Sequence, residues 1–222
     1  MNNPRITDSN IQIIYSVIEK TKKINDINYI LDLGCRDGSE AIQFSNIFPN
    51  AKIISIEANP NQIETIKSNI NDYPNIQIFN FGASNEDGEL DFNVSSTVNI
   101  GNSSFLKITG NYNNYENMAF HTPIKVKTKR LDNFLKEQQI PKIDILWMDI
   151  QGFEGKAVQG LGDYIKNVKI LYSEVTYKEM YKDQILFDKF DYYMLNKGFY
   201  CIYRDYKHGD FWGDSVYLNS NI

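Results

Sequence analysis

The chain lacks an excess of positive charge, any long apolar run and nearly all cysteine, and each shortage removes a class of function. Its 23 lysines and arginines are outnumbered by 28 aspartates and glutamates, for a net charge of −5. General nucleic-acid binding needs a basic footprint that displaces counterions from phosphate, so it is not expected. No stretch approaches the roughly 18 apolar residues of a membrane span. The polar start, Met1 to Asn10, has no apolar signal-peptide core. Cys35 and Cys201 lie far apart and make neither a metal-ligand spacing nor a disulfide framework. A cytoplasmic protein is expected.

What is present is enough for a folded core: 222 residues, of which 14% are aromatic. No repeat and no linker divides the chain, so one domain over 1–222 is expected. An amphipathic helix with Ile11, Ile14, Tyr15 and Ile18 on one face opens it, capped by Asp8 or Ser9. Apolar runs then alternate with helical patterns: Tyr29 to Leu33, helix from Ser39, Lys52 to Glu57, helix after Pro60, Ile76 to Phe81. Further on come a helix at Leu131 to Gln139, strands at Ile143 to Met148 and Lys169 to Val175, and helices at Phe153 to Leu161 and Ile185 to Asn196. Phe199 to Tyr203 and Val216 to Leu218 are expected as an edge pair. The alternation predicts an α/β, doubly wound, mostly parallel seven-stranded sheet. Residues 89–128 interrupt it as a small β/loop insert, with strands at Glu89 to Val94 and Ile124 to Thr128. Between these, Ser95 to Pro123 reads either as a lid or acceptor-binding loop or as a floppy one. Lys125, Lys127 and Lys129 alternate onto one strand face and suggest a solvated, protected sheet edge, with contact to an acidic glycan as the functional version.

The chemistry is concentrated where the first apolar run breaks into Gly34-Cys35-Arg36-Asp37-Gly38 and where the second ends in Glu57, 23 residues after Gly34. In a βαβ unit an acid at that position meets the ribose diol of a nucleoside, and the helix after the turn offers free N–H groups. The dinucleotide fingerprint G-x-G-x-x-G is absent, because Arg36 stands where close approach of a pyrophosphate needs glycine. Asp32 and Asp37 would repel a pyrophosphate but suit a cation, and S-adenosylmethionine carries an ammonium and a sulfonium and no phosphate. Candidate cofactor residues are Asp32, Gly34, Cys35, Asp37, Gly38, Glu57, Ala58, Gly82, Ala83, Asp149 and Gln151, most of them at the carboxyl ends of strands. Cys35 fits equally as a small residue of the turn.

Four segments together carry a family resemblance: Leu31-Asp32-Leu33-Gly34-Cys35-Arg36-Asp37-Gly38, Ile56-Glu57-Ala58-Asn59-Pro60, Ala83-Ser84-Asn85-Glu86-Asp87-Gly88, and Met148-Asp149-Ile150-Gln151-Gly152-Phe153-Glu154. With Arg130-Leu131-Asp132-Asn133-Phe134-Leu135 they make the chain resemble the FkbM family of class I methyltransferases over about Tyr29 to Val175. Two positions depart from the family pattern: Trp147 stands where a lysine is common, and Gln151 where an acid is common. The resemblance implies S-adenosylmethionine as methyl donor and a hydroxyl acceptor on a saccharide, glycan or related small metabolite.

An alcohol is a poor nucleophile until a base takes its proton, so a base is required. The candidates are Asp149, Glu154 and His121, with His208 also in reach of the argument. Asp149 is preferred because its strand end faces the expected cofactor. Asp149 and Glu174 also occupy positions resembling the ligands of magnesium-dependent O-methyltransferases, so Mg²⁺ is conceivable but not expected. Two rival readings remain open: a cofactor- or glycan-binding protein without turnover, and an NAD-dependent oxidoreductase, against which the missing glycine speaks.

Overall fold

A computed structural model of the chain describes residues 7–21, 26–95, 100–109, 122–207 and 210–220. Helix α1 (Ser9–Thr21) begins where Asp8 Oδ1 accepts the N–H groups of Asn10 and Ile11, at 2.7 and 3.0 Å. The core strands follow: β1 (Tyr29–Leu33), β2 (Lys52–Glu57) and β3 (Ile76–Asn80), joined through α2 (Ser39–Ile47) and α3 (Ile63–Asn69). Strands β4 (Gly82–Ser84), β5 (Gly88–Phe92) and β6 (Ile124–Arg130) form a separate small sheet. The main sheet resumes through α4 (Leu131–Glu137), β7 (Ile145–Met148), α5 (Glu154–Gly160), β8 (Ile170–Thr176), α6 (Phe187–Asn196), β9 (Phe199–Arg204) and β10 (Trp212–Asn219).

The seven-stranded order is β3-β2-β1-β7-β8-β10-β9, parallel except for β10, which runs antiparallel to both neighbours. Side chains alternate between the faces of each strand. Ile30, Ile53, Ile145 and Ile170 face α1, α2 and α3, packing on Ile11, Ile14, Phe44 and Ile66. Leu31, Ile54, Leu146 and Leu171 face α4, α5 and α6, packing on Phe134, Val158, Phe190 and Met194. The chain therefore leaves β1 toward one face and β7 toward the other, and the neighbouring strand ends open a crevice between them.

Three local expectations change. β10 is longer than Val216 to Leu218 and lies inside the sheet, because its polar start is satisfied there: Asp214 accepts from Tyr172 Oη, Asn10 Nδ2 and Lys207 Nζ. The lysines of β6 do not guard an edge, since β6 is the middle strand of the small sheet. They lie on its solvent side, Lys125 paired with Asp91 and Lys129 with Glu137, while Val126 and Thr128 are buried. Strand β4 was not foreseen, being three residues long and led by a glycine.

Helix α5 docks on β4 through a missing side chain: a Cβ on Gly160 would lie 1.9 Å from the Ser84 carbonyl oxygen. Helix propensity alone favours alanine over glycine by about 1 kcal/mol. Gly160→Ala is nevertheless expected to destabilise by about 1–3 kcal/mol, since the helix must move off a backbone that cannot yield. Urea unfolding of the two proteins checks the sign.

Candidate active site

The turn after β1 is pinned from both sides. Gly34 N–H donates to the Ile56 carbonyl at 2.9 Å, and Asp149 N–H donates to the Leu33 carbonyl at 3.0 Å. Gly34 has φ +82°, and a Cβ there would lie 2.0 Å from the Asp149 carbonyl oxygen. Glycine is thus demanded by the backbone of the β7 end as well as by the turn.

One residue beyond the ladders that β1 forms with β2 and β7, on the α2 face, Glu57, Gly34 and Asp149 stand side by side. Glu174 on β8 and Asp214 on β10, opposite each other in register, extend the row. Glu57 is buried, and its two oxygens accept from Asn59 N–H at 2.7 Å and Arg36 N–H at 3.0 Å. Burial pushes its carboxyl up to about 7; the Asn59 and Arg36 amides pull against this, and the Asp149 charge adds to it. Gln151, at φ 53°, donates from Nε2 to Asp149 Oδ1 at 2.7 Å and to Glu174 Oε2 at 2.6 Å, and its Oε1 accepts from Tyr181 Oη at 2.9 Å. Burial, then the adjoining Asp149 carboxylate, hold the Glu174 carboxyl well above the usual range.

A cleft of about 830 Å³, open mouth included, runs along these strand ends. Gly34, Glu57, Ala58, Gly82, Ala83, Asp149 and Gln151 line it, as expected from the sequence. Its apolar wall is Ile56, Phe81, Phe92, Phe105, Ile150 and Phe153. Its charged side chains are Arg36, Glu40, Glu57 and Asp149, with Trp147 beside them. Trp147 stacks on Tyr172 with centroids 3.7 Å apart and meets the edge of Phe44.

Other expected residues lie behind the cleft rather than on it. Asp32 is fully buried below the turn, bonded at Oδ2 by Ser55 Oγ at 2.9 Å, and its Oδ1 has no partner among the described residues. Cys35 is buried in the turn, which supports its role as a small filler. Asp37 Oδ1 caps α2 by accepting from Ser39 N and Oγ, and Gly38 supplies the left-handed residue before that helix, φ +84°. Glu154 turns away: Oε1 accepts from Ile150 N–H at 3.0 Å and Gly152 N–H at 3.3 Å, bracing the loop that presents Asp149. Burial pushes its carboxyl up to about 7. His121 and His208 fall outside the described residues.

Sequence reasoning missed Arg36, Glu40, Trp147 and the insert's contribution. The described part of the insert packs over the cleft, where Ser104 and Asn93 exchange backbone hydrogen bonds and Ser104 Oγ donates to the Gln151 carbonyl at 2.7 Å. Phe105 fills the space a Gly82 side chain would need, 2.2 Å from its Cβ position, and packs on Phe92 and Phe153. A glycine before Ala83 was the available signal.

The residues present fit S-adenosylmethionine: an acid at the end of β2 for ribose hydroxyls, an apolar wall for a base, and further acids for a cation. The candidate metal pair, Asp149 and Glu174, is indeed brought together, but an amide donor between two carboxylates is a poor seat for a cation. Among the described residues no group of three His, Cys, Asp or Glu side chains is gathered.

Fold and cleft define the chain as an S-adenosylmethionine-dependent methyltransferase with the Rossmann-like architecture. It belongs to the family of the methyltransferase FkbM domain, whose sequence profile matches residues 32–201. It is 28% identical over 179 residues to the 2-O-methyltransferase NoeI of Sinorhizobium fredii, covering 78% of this chain and 71% of that protein. Among solved structures it superimposes on Aeropyrum pernix fibrillarin with natively bound S-adenosyl-L-methionine, at TM-score 0.52 and 12% identity, covering 86% of this chain and 66% of that one. An rRNA methylase from Streptococcus thermophilus matches at TM-score 0.54 and 9% identity, covering 96% and 98%. These two likenesses are of fold.

The Glu57 carboxyl gives a pH signature with two opposite signs. Its folded value near 7 exceeds the unfolded one near 4.5, so the folded chain holds a proton that the unfolded chain has lost. The stability this contributes is present at low pH and fades as pH rises from about 4.5 to 7, on the order of 3 kcal/mol in all. Acceptance of ribose hydroxyls favours the carboxylate, so affinity for S-adenosylhomocysteine should rise over the upper part of that window. Glu57→Gln is expected to bind more weakly and to flatten both slopes, as measured by calorimetry and chemical unfolding at pH 5.5 and 8.

Proposed function

We propose that the chain methylates a hydroxyl oxygen of a saccharide or a related small metabolite, with Asp149 as the base. The observation that carries the reading is the position of Asp149. It lines the cleft beside Trp147, with the end of β1 between it and the Glu57 that would hold the ribose, and its carboxylate is oriented by Gln151. The cofactor supplies a methyl group already activated on a sulfonium. What remains for the protein is to align the acceptor and take its proton.

Each part has residues suited to it. Asp149 accepts the hydroxyl proton. Gln151 fixes Asp149 from one side and is itself fixed by Tyr181, so the carboxylate does not swing. Glu154 braces the loop at Ile150 and Gly152 rather than acting as the base. Trp147 and Phe153 offer apolar faces and Ser103 and Gln151 polar groups along the same cleft, a mixture that suits a sugar. The name of the relative, a 2-O-methyltransferase, supports an oxygen acceptor. A cytoplasmic setting belongs to the same reading, supported by two cysteines that remain thiols. No helix among the described residues is long and apolar enough to cross a membrane.

The test is S-adenosylhomocysteine production across a panel of saccharides, phenols and carboxylic acids, with Asp149→Asn alongside. Turnover on a saccharide at saturating cofactor should fall about 10²- to 10⁴-fold in the variant. Equal turnover by the variant would remove Asp149 as the base. Cofactor binding without turnover on any of the acceptors would favour the non-catalytic reading.

A further inference from the structure

We infer that Arg36 grips the carboxylate of the cofactor's amino-acid tail, with Glu40 beside it facing the tail's ammonium. The inference rests on the cofactor reading of the cleft and adds the residues that distinguish a zwitterionic tail from a bare thioether.

The charge inventory motivates it. Among the described residues, the charged side chains lining the cleft are three acids and one cation, Arg36. The acids suit the sulfonium and the ammonium, but the tail also carries a carboxylate, which three acids would repel. Arg36 is the cation available to it among the described lining residues.

The geometry holds Arg36 ready. Its backbone is left-handed, φ 49°, and its N–H donates to Glu57 Oε2 at 3.0 Å. The side chain therefore starts from a point fixed relative to the ribose acid. Its stem passes Gly101 of the insert, where a Cβ would lie 3.7 Å from Arg36 Cδ. The guanidinium is half exposed and makes two loose ion pairs, Nε to Asp37 Oδ1 at 3.8 Å and Nη2 to Glu40 Oε1 at 3.7 Å. Both exceed hydrogen-bonding distance, so the fork of donors remains available for a bidentate carboxylate.

Glu40 completes the pair. It lies in the first turn of α2 and lines the cleft, and Ser39 Oγ donates to its Oε2 at 3.0 Å. Behind it lies Asp32, with its buried and unpartnered Oδ1. A cation in the β1–α2 turn and an anion in the first turn of α2 match the two ends of an α-amino acid. The same arginine stands where the dinucleotide fingerprint has a glycine, at the point where a pyrophosphate would need bare backbone.

The experiment compares two ligands on the full-length protein by calorimetry. S-adenosylhomocysteine has the tail; 5′-methylthioadenosine keeps the adenosine and the thioether but lacks it. Arg36→Ala should weaken S-adenosylhomocysteine about ten- to a hundredfold and change methylthioadenosine by less than about twofold. Arg36→Lys should recover part of the loss, keeping the charge but not the fork. Glu40→Gln should weaken the same ligand selectively. Methylthioadenosine binding reports that the site is intact, and Arg36→Gln serves if the alanine variant does not fold. Equal weakening of both ligands, or of neither, overturns the inference. If the wild-type chain binds neither ligand, the cofactor reading itself fails and takes this inference with it; methylthioadenosine binding by the wild type separates the two failures.

Discussion

The site depends on one close approach: the backbone of Gly34 against the carbonyl of Asp149, with Asp149 N–H returning a hydrogen bond to Leu33. Any side chain at residue 34 would force the ends of β1 and β7 apart. With the contact made, Glu57 and Asp149 stand on either side of the same glycine, and the loops that follow diverge to opposite faces of the sheet. The crevice follows from topology, because α2 packs on one face and α5 on the other. Its chemistry follows from the acids that the strands carry at their carboxyl ends on the α2 face.

That arrangement brings like charges together. Glu57, Asp149, Glu174 and Asp214 form a row along one edge, with Asp32 and Glu40 near it. Burial pushes the carboxyls of Asp32, Glu40, Glu57 and Glu174 upward, and neighbouring acids add to this for all four. Gathering these acids is electrostatically unfavourable, and a cationic ligand would relieve it. Part of the affinity for such a ligand is drawn from that relief. Toward β10 the same problem has an internal solution, since Lys207, Asn10 and the Tyr172 hydroxyl surround Asp214.

Most of the frame was legible because local signals agreed with the global fold. The runs Tyr29–Leu33 and Lys52–Glu57 are buried on both faces and read as continuous apolar stretches, and Gly38 ahead of Ser39 marks a helix start. Strand β10 was only half legible, because Gly213-Asp214-Ser215 is polar in sequence and buried in the fold by partners from α1, β8 and the preceding turn. In the site, strand-end acids were visible by position. Which of them face the cleft was not, since Asp32 and Glu57 share a sheet face and differ only in depth. Glu154 was one of several candidate bases in the sequence, and the left-handed Gln151 and Gly152 fold the loop so that its carboxylate meets amide groups. The insert lacks periodicity, and its lining residues are placed by contacts with Gly82 and Gln151 that no local pattern encodes.

The two departures from the family pattern bear on whether this cleft still supports transfer. Taken singly, Trp147 loses a common cation and Gln151 loses a common anion, and either change would shift the charge around Asp149. Taken together they cancel, so the local charge sum is that of a site carrying both ionised groups. The replacements are also structurally employed. Trp147 closes an aromatic stack with Tyr172, whose hydroxyl reaches Asp214. Gln151 supplies the donor that two neighbouring carboxylates need and an acceptor for Tyr181. A site that had simply decayed would leave one partner unpaired, since an isolated buried charge is strongly disfavoured. Gln151 therefore braces Asp149 through an uncharged donor that it shares with Glu174.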